Sequence, residues 1–316
     1  MRKTEGTAVL IAADPPAEVR EKILACFPGD WSVRIAAEDR LGDELARAEA
    51  LIPEHLRADE ALLDKAPRLR FIQTGAGYDN VDLAACSRRG IRVCSAAGVN
   101  AGAVAEHVMA LLLSRYKNIP ALDRGMKERR EVGELRYAGG ELAGKTVGIV
   151  GLGAVGSRVA ALCGAFGMRV LGCSRSGRTP PGVEPRDLDS LCRESDVISL
   201  HVPLTEETRD LVDAAFLARM KDGALLINSS RGGVVNEEDL VRALREGRIG
   251  GACLDVFREE PLPADSPLRG LENVILTPHT AGYPDGPGFH RRRYAFFAEN
   301  IARFLRGETP ENLLNP

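Results

Sequence analysis

Three short stretches in the last third of this 316-residue chain carry side chains able to do acid–base chemistry together. They are Arg231 in NSSRGG, a glutamate in DVFREEP and His279 in TPHTAG. An always-charged, planar guanidinium can hold a carboxylate and polarise a neighbouring carbonyl. An imidazole can give a proton to a carbonyl oxygen as hydride arrives, and a carboxylate beside it orients the ring and favours its protonated form. Together they meet the needs of hydride reduction of a 2-keto acid. Taken singly each is ordinary: a surface arginine after a strand, a solvated glutamate pair, a structural histidine at a strand end. The combination is what points to a site, and spacing alone leaves Glu259 and Glu260 as alternatives for the carboxylate.

The elements that must position these residues alternate along the chain. Apolar runs TAVLIAA (7–13), VRIAA (33–37), ALIP (50–53), LRFIQT (69–74) and IRVCSA (91–96) read as strands. AEVREKILACF, ELARAEA, DEALLDKA and DLAACSRR read as short helices between them. Such alternation implies a parallel sheet with helices on both faces. Residues 101–118 form a long helix whose apolar side is too broad for a simple surface helix, and an irregular polar stretch follows. A second series of six strands then runs from KTVGIV (145–150) through MRVLGC (168–173), VISLH (197–201), ALLIN (224–228) and GACLDV (251–256) to NVILT (273–277). Helical spacing returns over 284–306. The fold class is α/β, with two doubly wound parallel-sheet domains.

The first strand of the second series enters GLGAVG, Gly151 to Gly156, and a helix follows. In that context backbone N–H groups at the helix start can hold a pyrophosphate. Gly151 permits the tight turn, Gly153 the approach of the phosphates and Gly156 close helix–strand packing. An Asp or Glu usually follows the next strand, to bind the ribose 2′-hydroxyl of NAD. Here the strand ends in Cys173, Ser174, Arg175, Ser176, Gly177 and Arg178, with no acid. A hydroxyl beside two guanidiniums suits a 2′-phosphate, so NADP(H) is the expected cofactor, with NAD as the alternative. QTGAGYDN (73–80) places Gly75, Ala76 and Gly77 at another strand end, where successive amides can bind a carboxylate. His107 reads as a packed helix residue, and the RRR run at 291–293 as a solvated face.

Composition narrows the class. The net charge of −3 gives no electrostatic reason for a nucleic-acid or anionic-membrane partner. No apolar run approaches the ~20 residues of a membrane span, and the first residues lack an adequate signal sequence. A cytoplasmic protein is expected. Seven scattered cysteines without a CxxC pair read as buried thiols, and five histidines without ligand spacing predict no metal site.

These motifs carry a family resemblance. GAGYDNVD (75–82), VNAGAVAEH (99–107), KTVGIVGLGAVGSRVA (145–160), HVPLTEET (201–208), LLINSSRGGVVNEEDL (225–240), LDVFREEPLP (254–263) and NVILTPHTAG (273–282) resemble, in order, the D-isomer-specific 2-hydroxyacid dehydrogenases that include glyoxylate/hydroxypyruvate reductases. The resemblance implies a Rossmann cofactor domain (99–282) inserted into a flavodoxin-like substrate domain (1–98 and 283–316). It selects Glu260, which directly precedes the proline, over Glu259. It places Asp255 at the nicotinamide carboxamide, adds Ala154, Val155, Pro203 and Ser230 to the cofactor residues, and puts Ala76 and Gly77 at the substrate carboxylate. It also implies a homodimer through the cofactor domain, with the 101–118 helix involved. Two departures stand out: Ser174-Arg175 in place of the acid, and Tyr283 within an unusual GYPDGPG loop.

The leading expectation is therefore an NADP(H)-dependent reductase of a small 2-keto acid, with Arg231, Glu260 and His279 catalytic. The alternatives are an NAD-dependent phosphoglycerate or phosphite dehydrogenase and a nucleotide-sensing, corepressor-like binding protein.

Overall fold

Short unbroken apolar runs bounded by polar turns become strands, the inner ones buried on both faces as parallel sheets require. The computed structural model describes residues 7–129, 139–285 and 289–316. It divides into two units, Met1–Asn100 with Tyr283–Pro316, and Ala101–Gly282.

In the first unit, strands β1 (Ala8–Ala12), β2 (Ser32–Ala36), β3 (Ala50–Ile52), β4 (Phe71–Gln73) and β5 (Arg92–Cys94) alternate with helices α1 (Ala17–Leu24), α2 (Gly42–Arg47), α3 (Glu60–Leu63) and α4 (Leu83–Arg88). The strands pair in parallel in the order β2-β1-β3-β4-β5, the flavodoxin-like winding. One face is covered by a core of Leu10, Leu51, Ile72 and Val93, the other by Ile11, Ile52, Phe71 and Phe297. Asp59 and Asp82 accept the first free N–H groups of α3 and α4, each such cap contributing about 1 kcal/mol.

The second unit opens with α5 (Ala101–Tyr116) and α6 (Ile119–Lys127). Along α5, Ala101, Val104, Ala105, Val108, Met109, Leu111 and Leu112 are buried, the broad apolar side its composition foretold. The helix α6 falls where an irregular stretch was expected; Pro120 in its first turn starts it, and its exposed Ile119 and Met126 blur the apolar spacing.

The sheet that follows comprises β6 (Thr146–Val150), β7 (Arg169–Cys173), β8 (Glu184–Pro185), β9 (Val197–Leu200), β10 (Leu225–Asn228), β11 (Gly251–Leu254) and β12 (Val274–Leu276). Helices α7 (Ala154–Ala165), α8 (Leu188–Glu194), α9 (Ala214–Arg219) and α10 (Glu237–Arg245) connect them. Its order is β12-β11-β10-β9-β6-β7-β8, all parallel, so the winding reverses between β6 and β9. That is the Rossmann arrangement, and ligands bind such sheets beyond the carboxyl ends of the strands at the reversal. Among the described residues the sheet has seven strands rather than six. The extra one, β8, is a two-residue edge seen only by its pairing with Leu171 and Gly172; a proline there needs no ladder N–H, and nothing apolar marks it. Helix α11 (Arg291–Leu305) belongs to the first unit.

Candidate active site

Strand register assembles the second unit's candidate residues along one edge. Leu200 pairs with Asn228, Asn228 with Leu254 and Leu254 with Leu276. The next residues of each strand therefore emerge side by side: His201, the Ser229–Arg231 turn, Asp255 and Thr277. Gly151 and Ser174 follow β6 and β7 at the same edge.

The buried Asp255 organises the histidine loop. Its Oδ1 accepts from the Thr277 hydroxyl (2.6 Å) and the Thr280 N–H (3.0 Å), and its Oδ2 from the Ala281 N–H (3.0 Å). Its carbonyl accepts the His279 N–H at 2.8 Å. These bonds hold His279 at φ +54°, a left-handed conformation that costs on the order of 1–3 kcal/mol in a residue with a Cβ. So fixed, the ring places Nδ1 2.6 Å from Glu260 Oε2. The Phe257 N–H donates to Glu260 Oε1 at 2.9 Å, leaving the carboxylate gripped from both sides. Burial pushes the Glu260 carboxyl up, but the bonds from His279 and Phe257 and the charges of His279 and Arg231 outweigh it and hold it below the usual carboxylate range. The geometry thus distinguishes the two glutamates: the carboxylate on His279 is that of Glu260.

Arg231 follows β10, and its loop packs directly on the loop that carries Glu260. A Cβ on Gly232 would overlap the Phe257 carbonyl group and the Arg258 nitrogen, so only glycine lets the two backbones meet. The Asn228 amide donates to the Arg231 carbonyl at 3.0 Å, while the Asn228 oxygen accepts the Ser230 N–H (3.0 Å) and hydroxyl (2.8 Å). One asparagine therefore sets the turn.

Sequence reasoning passed over two members of this network. The His107 ring Nε2 lies 3.0 Å from the Thr277 hydroxyl and 3.5 Å from Asp255 Oδ1. His107 is thus more than a packed helix residue, and Thr277 more than a strand end. The β11–β12 register sets Thr277 beside Asp255, whereas His107 reaches them through the packing of α5 on β11.

The glycine turn has the form a dinucleotide needs. Gly151 adopts φ +95°, and a Cβ there would come within 2.6 Å of the His201 carbonyl oxygen. A Cβ on Gly156 would overlap the Gly151 carbonyl. Gly153 is different: among the described residues a Cβ there would meet no atom within 4 Å, so their packing does not account for it. Helices α8, α9 and α10 begin on the capping side chains of Asp187, Asp213 and Asn236. Helix α7 begins on Gly153 with no side-chain cap, and Ala154 and Val155 form its first turn. Its leading N–H groups are left for an anion, and the partial positive charge of a helix N-terminus favours one. The residues present fit a dinucleotide.

The loop after β7 is held less firmly. The Ser174 hydroxyl donates to the Arg178 carbonyl at 2.9 Å, and Arg175 and Arg178 are exposed. Arg175 lies 3.9 Å from Glu207 in a pair that is almost wholly solvated. Pro203 is exposed after β9, its carbonyl accepting the Thr208 hydroxyl.

Ala76 and Gly77 lie in the first unit, in the turn after β4. The Ala96 N–H and Thr74 hydroxyl both donate to the Gly75 carbonyl, and among the described residues no bond uses the Ala76 or Gly77 amides. Of the GYPDGPG loop, residues 286–288 lie outside the described residues. The cysteines are free, and burial pushes the thiols of Cys94, Cys163, Cys192 and Cys253 up to about 12. Among the described residues there is no group of three or more potential metal ligands and no helix long and apolar enough to cross a membrane.

Comparison with known proteins agrees with this geometry. Residues 109–281 match the family described as D-isomer specific 2-hydroxyacid dehydrogenase, NAD binding domain. The chain is 43% identical over 271 residues to a glyoxylate reductase of Aeropyrum pernix, spanning 82% of this chain and 80% of that one. It is 38% identical over 314 residues to a D-3-phosphoglycerate dehydrogenase of Methanocaldococcus jannaschii, spanning 97% of this chain and 59% of that one. Among solved structures it resembles an acyclic imino acid reductase (Bsp5) in complex with NADPH and D-Arg, with TM-score 0.83, 30% identity and coverage of 97% and 99%. It also resembles a D-lactate dehydrogenase from Aquifex aeolicus complexed with NAD and lactic acid, with TM-score 0.83, 32% identity and coverage of 98% and 99%. This chain belongs to the D-isomer specific 2-hydroxyacid dehydrogenase family, enzymes that use NAD(P) on small 2-keto and 2-hydroxy acids.

Proposed function

We propose that the protein reduces a small 2-keto acid to the D-2-hydroxy acid with NADPH. The observation that carries this reading is the 2.6 Å contact between His279 Nδ1 and Glu260 Oε2 beside the Arg231 turn. When bound, NADPH supplies hydride from its nicotinamide ring. The N–H groups that open α7, with Gly151, Gly153, Ala154, Val155 and Gly156, hold the pyrophosphate. Pro203 and Ser230 line the nucleotide's path, and Asp255 Oδ2, which among the described residues receives one bond, accepts from the carboxamide.

Arg231 binds the substrate carboxylate and polarises the ketone, with Ala76 and Gly77 giving backbone amides to the carboxylate. With Nδ1 engaged by Glu260, the His279 ring turns Nε2 to the substrate, and Nε2 delivers the proton to the carbonyl oxygen. Glu260 orients the ring and balances its charge. The absence of an acid after β7, and the presence there of Ser174, Arg175 and Arg178, support NADP(H) over NAD. The exposed Ile119 and Met126, directly after α5, support a homodimer through this unit, and light scattering on the purified protein tests it. A cytoplasmic location fits the same reading.

The function is tested by following NADPH and NADH oxidation side by side with glyoxylate, hydroxypyruvate, pyruvate and phenylpyruvate. Faster turnover with NADPH supports the full proposal. Faster turnover with NADH would keep the acid–base site and overturn the cofactor preference.

A further inference from the structure

A buried ion pair in the first unit has no part in the chemistry described so far. Arg293, in the first turn of α11, and Glu54, just past β3, have side chains only 14% and 12% exposed. Arg293 Nη2 donates to Glu54 Oε1 at 2.6 Å, and the Tyr294 hydroxyl donates to the same oxygen at 2.9 Å. The guanidinium carbon stands 5.1, 5.4 and 5.9 Å from the ring centres of Tyr294, Phe297 and Tyr283, in the range of cation–π attraction. The sequence had read Arg293 as part of a solvated face; the fold buries it.

Removing two charges from water is expensive, and a well-packed apolar pair would hold the helix as well or better. Stability alone therefore does not explain Glu54 and Arg293. Their position does. Arg293 Nη1 lies 4.0 Å from where a Cβ on Gly75 would stand, so the cation borders the turn whose Ala76 and Gly77 amides are proposed to take the substrate carboxylate. One side of the guanidinium is committed to Glu54 and Tyr294. Among the described residues its Nε is buried without a partner.

We infer that the Arg293–Glu54 pair reads the substituent next to the keto group and selects a hydroxyl there. This assignment rests on the function proposed above. A three-carbon acid held by its carboxylate at this turn extends only a short way, so its far carbon meets the groups that border the turn. The pair is neutral overall. A second anionic group, such as a phosphate, would meet Glu54 as well as Arg293 and be repelled. A methyl group would leave the guanidinium's uncommitted N–H groups without a partner. A hydroxyl can accept from Arg293 and donate to Glu54, satisfying both, and sites built to bond a hydroxyl strongly reject analogues that lack it.

The experiment compares kcat/KM for hydroxypyruvate, pyruvate, glyoxylate and 3-phosphohydroxypyruvate, with the preferred nucleotide, in the wild type and in a Glu54→Gln/Arg293→Met double variant. That variant removes both charges at similar volume and leaves neither partner buried alone. In the wild type, hydroxypyruvate should exceed pyruvate and the phosphorylated acid by about 100-fold or more. The double variant should lose most of that preference on hydroxypyruvate while its glyoxylate and pyruvate values hold within a few-fold. An equal fall with every substrate would make the pair structural and overturn the assignment, as would a wild type that favours pyruvate or the phosphorylated acid. If the variant does not fold, inhibition of the wild type decides: D-glycerate should bind more tightly than D-lactate, and equal binding overturns the assignment. Turnover of glyoxylate and pyruvate without hydroxyl preference sinks this inference alone. Silence with every keto acid sinks the proposed function with it.

Discussion

The loop that carries His279 and the loop that follows β7 leave the same edge of one sheet, yet they are held by different means. The first is fixed by a buried carboxylate: Asp255 takes three side-chain bonds and, through its carbonyl, a fourth, and the ring then closes on Glu260. The second is held by a hydroxyl bonded within its own turn, with Arg175 and Arg178 in solvent. Proton transfer tolerates little misplacement, and the groups proposed for it sit on backbone tied down by several hydrogen bonds. Nucleotide preference needs only a favourable charge near a phosphate, which exposed side chains supply without a rigid frame. The difference predicts that substitutions in the first region act on kcat or on folding, and those in the second on KM alone.

The largest effect that could break this contrast is expected at His279. His279→Ala should lower kcat by about 10²–10⁴-fold, the usual worth of a positioned acid, with a melting temperature close to wild type. Near-normal turnover would remove the ring from the mechanism. Gly232→Ala tests the frame rather than the chemistry. Its Cβ must displace the backbone at Phe257, so we expect destabilisation of about 3 kcal/mol and weakened turnover; an unshifted thermal melt would show that the two loops do not need their contact.

Glu260→Gln should cost less than His279→Ala, about tenfold in kcat, because an amide can still bond the ring but carries no charge to oppose the imidazolium. The Glu260 carboxyl sets the acid side of the pH profile. A carboxyl held below its usual range contributes fully above its unfolded value and is lost only as pH falls through the depressed folded value. Wild-type turnover should therefore persist through the ordinary carboxylate range before it falls. Turnover lost already within the ordinary carboxylate range, or a glutamine variant with wild-type kcat, would remove Glu260 from the mechanism. The smallest effect is expected in the second region: Arg175→Ala with Arg178→Ala should raise KM for NADPH about tenfold, with kcat and the KM for NADH unchanged. A fall in kcat there would erase the distinction between the two loops.

Most of this architecture was legible because short apolar runs, glycine turns and helix-starting residues are local signals. The β-strands, the GLGAVG turn and the buried side of α5 are written in consecutive residues. The edge strand β8 was not, because two residues without an apolar run become a strand only by pairing with β7. Helix α6 was missed for a related reason, since its apolar residues stay partly in solvent.

The sequence by itself determined which chemical groups are available and in what order they leave the sheet: a guanidinium after β10, a carboxylate past β11 and an imidazole past β12. Tertiary structure decided what those groups touch. Parallel register set Asp255 against Thr277, a left-handed backbone at His279 aimed its ring at Glu260, and the close passage at Gly232 joined two loops. The fold also buried Arg293 against Glu54, 239 positions away, where the sequence had promised a solvated run. Contacts between residues so distant depend on strand order and packing, and no local pattern encodes them.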